Sequence, residues 1–531
     1  MKHYKYKEYL QNVFPCMYYG VLCGAVTGAL IFLFKLAAKK AEELSRFIYA
    51  QASDNPLYTA LIFLLLGGAA MLMYLLHKLT PECKGGGIPR SEGVLRGVLS
   101  FRWLRTLLST FFGSMISFLC GLPLGSEGPA VLMGTSVGAM CGGISRNRST
   151  WSRYVMTGGA GAGFAVATGA PLSGILFALE EIHKRFTPML VLTVSTSVVS
   201  ATCINQLLCS AFGISASLFH LESLAGFALS DIGYLLVFGL ILAIGVGIFD
   251  ASIAYFGRLT KKIGKYLTAP IKLVLIFVIT GILAFCFGDA LYSGHHTIEE
   301  VMHNDKTALF LLLVFAARLI MMLFVTDSGV TGGIFIPTLA IGAAFAALVS
   351  KLLLAMGMQE ALFPTAVFLG MCAFIGGTLR APLTASVLFI ELTGQYSNLL
   401  FVALVVFTVS FVTEILNQVP FYDRALENME HVQNAGKTPV IAYFEMKISH
   451  DSFVVGKAVR DILWPSASVV VSVKRADEAK NDMDNDGEKK LYVGDTIVLR
   501  ARFFDENEIR KTLVGLVGSD HEIKRTEKQG V

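Results

Sequence analysis

The chain has 531 residues, of which 54% are hydrophobic and only 16% charged, and its mean hydropathy is +0.62. That is far too apolar for a soluble protein of this size and marks a polytopic membrane protein. The formal charge of +5, from 44 Lys and Arg against 39 Asp and Glu, excludes a strongly basic nucleic-acid binder. All nine cysteines lie between Cys16 and Cys372 with no CxxC pair, so they suggest neither a disulfide frame nor a zinc site and read as small packing residues.

Residues 1–7 are polar and lead into a long apolar stretch with no small-residue cleavage site, which reads as a retained cytoplasmic end and not a signal peptide. Residues 16–34 and 57–76 are long enough to cross a bilayer. The pattern then changes. From 85–98 through 397–416 the apolar segments are Gly-rich, broken by proline and uneven in length. Broken helices are tolerated at membrane depth where their ends line a polar cavity, so the irregularity itself argues for a solute pathway.

The stretch that organises the rest is Pro123-Leu124-Gly125-Ser126-Glu127-Gly128-Pro129. One carboxylate stands between glycines inside a long apolar region, where an unpaired charge is expensive. Gly125 and Gly128 let backbone approach an ion, and Pro129 can open a helix whose free amides and positive dipole end face the carboxylate. Such a site suits a small anion, and an acid that can take the anion's place. The competing reading is a Gly/Pro turn with an incidental Glu at a water boundary.

An internal repeat supports the first reading. Ala170-Pro171-Leu172-Ser173, leading to Glu180, recurs 211 residues on as Ala381-Pro382-Leu383-Thr384, leading to Glu391. Pro129 and the Pro337 of Gly333-Ile334-Phe335-Ile336-Pro337 stand 208 residues apart, nearly the same offset. Two halves with matching breaks place a binding site at their interface.

Four motifs occur in order: Gly85-Gly86-Gly87-Ile88-Pro89, Gly125-Ser126-Glu127-Gly128-Pro129, Gly333-Ile334-Phe335-Ile336-Pro337, and Tyr422 within Val419-Pro420-Phe421-Tyr422. Together they resemble the CLC family of chloride channels and chloride/proton exchangers, over about residues 10–430. The resemblance implies a mainly α, polytopic membrane fold of the CLC type with two inverted helical repeats and broken helices, over 1–432. By the same resemblance, Gly86, Gly87, the amides of Ile334 and Phe335, and the Tyr422 hydroxyl fall where the family cradles a dehydrated anion. Glu127 falls at the external gating glutamate, Glu181 at the acid that exchangers use to receive protons from the cytoplasm, and Glu92 at another carboxylate near that internal route. A homodimer with one pathway per subunit is implied, with chloride and protons as substrates and no cofactor.

The physics can be stated without the family. Chloride needs donors but no strong counter-charge, because a full Lys or Arg partner would bind it too tightly for release. Helix amides, glycine backbone and a Tyr hydroxyl meet that need. Burial favours the neutral form of Glu127 and amide donors favour the charged one, so anion movement and proton uptake can be coupled through one side chain. One departure matters: most chloride-selective members carry Ser where this chain has Gly86, which leaves preference among chloride, nitrate and fluoride open at this stage. The Phe-containing third motif and Tyr422 favour chloride.

Other patterns rank lower. The glycines of Gly158-Gly159-Ala160-Gly161-Ala162-Gly163 lack the Lys-Ser/Thr of a phosphate loop and read as helix packing. His295-His296 with Glu299-Glu300 reads as a solvated surface turn before a metal cluster. His183-Lys184-Arg185 and Lys261-Lys262 mark cytoplasmic edges. Glu391 reads as a helix-end carboxylate before a proton-path acid.

Beyond Val432 the character shifts. Residues 440–443, 469–473 and 496–501 are strand-like, 451–463 can form a short helix, 476–490 is a charged loop, and 504–517 closes as a helix. This α+β module, 433–531, resembles the TrkA-C or RCK-C domain of potassium-transport regulators through Val454-Val455-Gly456-Lys457, the later Val-rich strand followed by Lys474-Arg475, and Gly494-Asp495. Some members of that domain family dimerise and bind small ligands, including cyclic di-AMP; a purely structural dimerising role is the alternative. The eukaryotic members usually carry a different C-terminal pair, so a bacterial inner or plasma membrane is expected, with both termini cytoplasmic.

Glu127 together with Glu181 points to a secondary active chloride/proton exchanger. A passive, voltage- or ligand-gated chloride channel would use Glu127 as a gate and has no need of Glu181. An intramembrane hydrolase is excluded as the leading reading, since no HExxH occurs and none of the ten histidines sits midway along an apolar run. No enzyme activity is expected.

Overall fold

The computed structural model describes residues 2–52, 56–143, 148–215, 218–219, 224–264, 268–287, 292–434, 436–450, 452–465, 467–475, 487–518 and 523–526. The helices of the apolar part are α1 (Lys2–Ala52), α2 (Pro56–Leu79), α3 (Ile88–Arg96), α4 (Trp103–Leu119), α5 (Glu127–Gly142), α6 (Arg148–Thr168) and α7 (Pro171–Phe177). A π-helical turn, Ala178–His183, extends α7. Then follow α8 (Pro188–Phe212), α9 (Ile232–Ile263), α10 (Ala269–Phe287), α11 (His295–Val301), α12 (Ala308–Ser328), α13 (Phe335–Ala355), α14 (Phe363–Leu379), α15 (Pro382–Thr393), α16 (Leu399–Ile415) and α17 (Phe421–Gln433). Among the described residues eight helices are long and apolar enough to cross a membrane, while α3, α7 and α15 are too short to do so. The mixture of full and partial helices is what the uneven apolar segments foretold.

The two halves hold each other by their shared motif. Glu391, near the end of α15, accepts from the amides of Leu172 and Ser173 at 2.7 Å each, and so caps the N-terminus of α7. Glu180 accepts from the amides of Leu383 and Thr384 at 3.1 and 2.7 Å and caps α15. The hydroxyls of Ser173 and Thr384 complete each cap at 2.7 Å. In both cases the carboxylate lies ten positions after the Ala that opens the motif, so one element of each repeat satisfies the orphan amides of the other.

Glycine sets the closeness of the helices. A Cβ on Gly134 of α5 would stand 2.1 Å from the carbonyl of Gly159 on α6, and a Cβ on Gly159 would meet Gly134 at the same distance. The glycine run 158–163 is therefore a helix-packing surface within α6. His295 and His296 stand at the start of the short helix α11 and not on a turn, and the Nδ1 of His295 is 3.1 Å from the Ser293 hydroxyl. Among the described residues no cluster of three or more His, Cys, Asp or Glu could hold a metal ion.

After α17 the chain forms strands β1 (Val440–Lys447), β2 (Ser468–Lys474) and β3 (Thr496–Phe503), helix α18 (Glu506–Val517) and strand β4 (Ile523–Thr526). They make one antiparallel sheet in the order β2-β3-β1-β4. The helix expected over 451–463 is absent: Asp451 lies outside the described residues, and the rest is a loop with a single 3₁₀ turn, Val459–Asp461. Gly456 takes a positive φ of 79°, and the loop spends its amides on a neighbouring segment, Gly456 to the Leu491 carbonyl at 2.8 Å and Val459 to the Lys489 carbonyl at 3.1 Å. Of the charged loop 476–490, residues 476–486 lie outside the described residues.

This sheet unit docks on α6. Trp151 packs edge-on against Phe453 with centroids 5.2 Å apart, and the Tyr154 hydroxyl donates to the Asp461 carbonyl at 3.1 Å. One turn further along α6, the Thr157 hydroxyl is 3.1 Å from His183 Nδ1 on the π turn.

The reciprocal caps predict a stability effect. Glu391→Ala should cost about 1–2 kcal/mol, the usual worth of an N-cap, read as a lower midpoint of thermal unfolding in detergent. An unchanged midpoint would show that water replaces the carboxylate without loss.

Candidate functional site

Three helices, α3, α5 and α13, begin at one place. A loop pairing brings the motifs together: the Gly125 amide donates to the Gly333 carbonyl at 2.6 Å and the Gly333 amide returns the bond to Gly125 at 2.7 Å. Beside it, the Gly85 amide donates to the Gly329 carbonyl at 2.9 Å. Thr331 braces this junction, its hydroxyl donating to the Cys83 carbonyl at 2.9 Å and standing 3.0 Å from His77 Nε2, while its carbonyl accepts from Ser117 at 2.5 Å.

The contacts leave no room for side chains at two glycines. A Cβ on Gly128 would lie 1.8 Å from the Gly86 carbonyl, and one on Gly87, which also has a positive φ of 81°, would lie 2.4 Å from the Gly128 carbonyl. Gly86 is different: its Cβ would stand 3.6 Å from Ile334 Cγ1 and 3.7 Å from the Gly332 carbonyl, an ordinary van der Waals fit.

Helices α5 and α13 present their first turns here. The first ladder bonds are Ala130 to Ser126 and Thr338 to Ile334, both 3.0 Å, so the amides ahead of them, among them those of Phe335 and Ile336, stand outside the ladder. Phe335 is fixed from behind by Phe164 and Phe177, with centroids 5.0 and 6.4 Å away. Ile334, Phe335 and Tyr422 are all buried.

Glu127 opens α5 and has no solvent exposure. Its Oε1 accepts from the Ser126 hydroxyl at 3.1 Å, and its Oε2 has no hydrogen-bond partner among the described residues. A buried carboxylate oxygen left unsatisfied is costly and is relieved by a proton, a donor or departure. Lys35 on α1 lies within electrostatic reach of Glu127 while donating to the Val166 carbonyl at 3.0 Å.

Glu181 lies on the π turn, 1% exposed, with Oε1 likewise without a hydrogen-bond partner among the described residues. Tyr422, the second residue of α17, sits within electrostatic reach of Glu181, Glu127 and Glu92 together. An open cavity of about 290 Å³, lined among others by Glu181, Lys184, Arg380 and Asp423, borders this end of the site. The three glycine motifs thus meet at one junction that carries Glu127, and Tyr422 lies within electrostatic reach of Glu127, Glu181 and Glu92.

Sequence reasoning missed a set of charges. Glu92, fully buried, is met by Arg96 Nη2 at 2.6 Å and by Lys184 Nζ at 3.5 Å; Asp423 is met by Lys184 at 2.7 Å and by Arg96 at 3.5 Å. The i,i+4 order of Glu92 before Arg96 was a legible signal of the first pair. Lys184 gave only its place in a basic run.

The sequence model of the family described as voltage gated chloride channel matches residues 67–414. The H(+)/Cl(-) exchange transporter ClcA of Yersinia pseudotuberculosis serotype IB (strain PB1/+) is 30% identical over 431 residues, 79% of this chain and 88% of that one. The crystal structure of a slow cyanobacterial Cl-/H+ antiporter superposes with a TM-score of 0.71 at 28% identity, covering 79% of this chain and 99% of that one. A CLC-type fluoride/proton antiporter superposes at 0.62 with 20% identity over 76% of this chain and 96% of that one, a likeness of fold alone. The chain belongs to the voltage-gated chloride channel (CLC) family of multi-pass membrane proteins.

Proposed function

We propose that this protein is a secondary active transporter that exchanges chloride for protons, with Glu127 as gate and Glu181 as internal proton acceptor. The carrying observation is the pair of buried carboxylates, each with an oxygen lacking a hydrogen-bond partner among the described residues and both within electrostatic reach of Tyr422. A channel needs the first acid and not the second. The relatives named as exchangers support the same reading.

In this reading the first turns of α5 and α13, Gly86, Gly87 and the Tyr422 hydroxyl hold a dehydrated chloride. When the site is empty of anion, the charged carboxylate of Glu127 accepts the same donors. Chloride displaces it into drier surroundings, where the neutral form is favoured, and the side chain takes a proton. Glu181 then receives that proton by way of transient water, with Glu92 bordering its route, and the cavity beside Lys184 and Asp423 opens it to the cytoplasm. Coupling follows because one carboxylate cannot both hold its charge among the donors and make way for the anion.

Residues 1–432 form the transport unit of a homodimer in a bacterial plasma membrane, and 433–531 a TrkA-C-like regulatory unit on the cytoplasmic side. Support for regulation comes from the docking face: Trp151 and Tyr154 meet the sheet unit on the same stripe of α6 whose Thr157 reaches His183, two residues from Glu181.

Two outcomes test the reading. In proteoliposomes a chloride gradient should drive proton movement through the wild type, Glu127→Gln should pass chloride without protons, and Glu181→Gln should uncouple likewise; a wild type that moves no protons makes the protein a passive conductor. Because the space beside Gly86 admits a Cβ, Gly86→Ser should fold normally and place a hydroxyl at the anion. Chloride over nitrate should then sharpen several-fold, the worth of one hydrogen bond to a charged group being about 1.5–3 kcal/mol. An unchanged flux ratio would remove Gly86 from the anion site.

A further inference from the structure

The charges around the inner cavity close into a ring. Arg96 Nη2 lies 2.6 Å from Glu92 Oε1 and 3.5 Å from Asp423 Oδ1; Lys184 Nζ lies 3.5 Å from Glu92 Oε1 and 2.7 Å from each oxygen of Asp423. Signs alternate around all four edges, so the ring as a whole is neutral. Its members come from three elements, and each of these carries a member of the site. Glu92 and Arg96 are on α3, which opens at Gly86 and Gly87; Lys184 ends the π turn, three residues after Glu181; Asp423 follows Tyr422 in the first turn of α17.

We propose that Lys184 and Asp423 are positioning residues for exchange: the Lys184–Asp423 ion pair fixes the proton acceptor Glu181 relative to the anion ligand Tyr422. This inference rests on the exchanger reading. Three observations carry it beyond an incidental surface pair, which is worth little. First, the ammonium of Lys184 reaches both carboxylate oxygens, and the two side chains are only 31% and 25% exposed. Second, Lys184 caps the π turn in a left-handed conformation, φ 54°, closed by its own amide on the Leu179 carbonyl, so its side chain departs from a fixed point directly linked to the turn that carries Glu181. Third, the pair joins positions 239 residues apart directly, whereas the other edges of the ring link them only by way of α3: Glu181 sits on a turn with π geometry and Tyr422 on the first turn of a separate helix.

The ring also explains why the tie is made here and not nearer the ion. A cation beside Tyr422 would hold chloride too strongly for release. Paired with the residue that follows Tyr422, and already neutralised by Asp423 and Glu92, Lys184 can fix geometry without adding net charge to the anion path. The acidic partner belongs on α17 because a carboxylate in a helix's first turn is favoured by its dipole.

The test is proton and chloride flux measured together in proteoliposomes, with chloride affinity read by titration calorimetry. Lys184→Met and Asp423→Asn break the same edge from its two sides and leave Glu92 with Arg96. Lys184→Arg keeps it. Charge exchange between the two positions is unsuitable, because an acid at 184 would face Glu92 and a base at 423 would face Arg96. The expected result is a proton-to-chloride ratio lowered about two- to fivefold by Lys184→Met and by Asp423→Asn, the range a partly exposed ion pair can move. Chloride affinity should stay unchanged, and Lys184→Arg should keep the wild-type ratio. Variants that lower both fluxes in proportion would overturn the inference, showing that Lys184 acts only on the charge of the cavity mouth. An unchanged ratio in a coupled protein would overturn it as well. A wild type that moves no protons at all overturns the exchanger reading and this inference together, a result distinct from either of the others.

Discussion

Unsatisfied backbone donors inside an apolar protein are the constraint on which the rest of this structure depends. A helix leaves its first amides without partners, and in hydrocarbon surroundings that deficit is severe. Here α5 and α13 start side by side, brought there by the two-bond pairing of Gly125 with Gly333. A small negative group satisfies both first turns at once, whether an anion or a carboxylate. Under the proposed function the carboxylate of Glu127, the first residue of α5, and chloride use the same donors by turns.

Each half of the chain meets the same deficit in two ways. At α7 and α15 the orphan amides are met internally, each by the Glu of the opposite repeat. These ends are closed with fixed caps and cannot take a ligand. At α5 and α13 no such side-chain cap is present among the described residues, and Glu127 Oε2 has no hydrogen-bond partner among them. The contrast between capped and uncapped helix ends separates the scaffold from the proposed transport site.

Much of this was legible in the sequence because glycine and proline mark places where backbone must approach backbone. Gly86, Gly87, Glu127, Ile334, Phe335 and Tyr422 were singled out from motifs and the resemblance they carry; the structure brings the glycine motifs, with Glu127, Ile334 and Phe335 on them, to one junction, and Tyr422 within electrostatic reach of Glu127. Glu391 was rightly read as a helix-end carboxylate, although the helix it caps belongs to the other half. What was not legible depends on distance in the chain. The pairing of Lys184 with Asp423 leaves no local trace, and a basic residue beside an apolar segment is equally consistent with a membrane edge. The missing helix after residue 451 has a local cause that was underweighted: Gly456 interrupts it, and the freed amides find partners at Lys489 and Leu491. Strand β4 went unseen because four residues with three exposed side chains have no hydrophobic alternation to read.

The central claim is that Glu127 and a halide compete for one set of donors. Anomalous diffraction from bromide-soaked crystals tests it most directly, by comparing the wild type with Glu127→Gln. The account predicts a bromide peak at the first turns of α5 and α13 in the variant that is weak or missing in the wild type, where the charged side chain holds the donors. Equal peaks in both proteins, or none at that position in either, would contradict it.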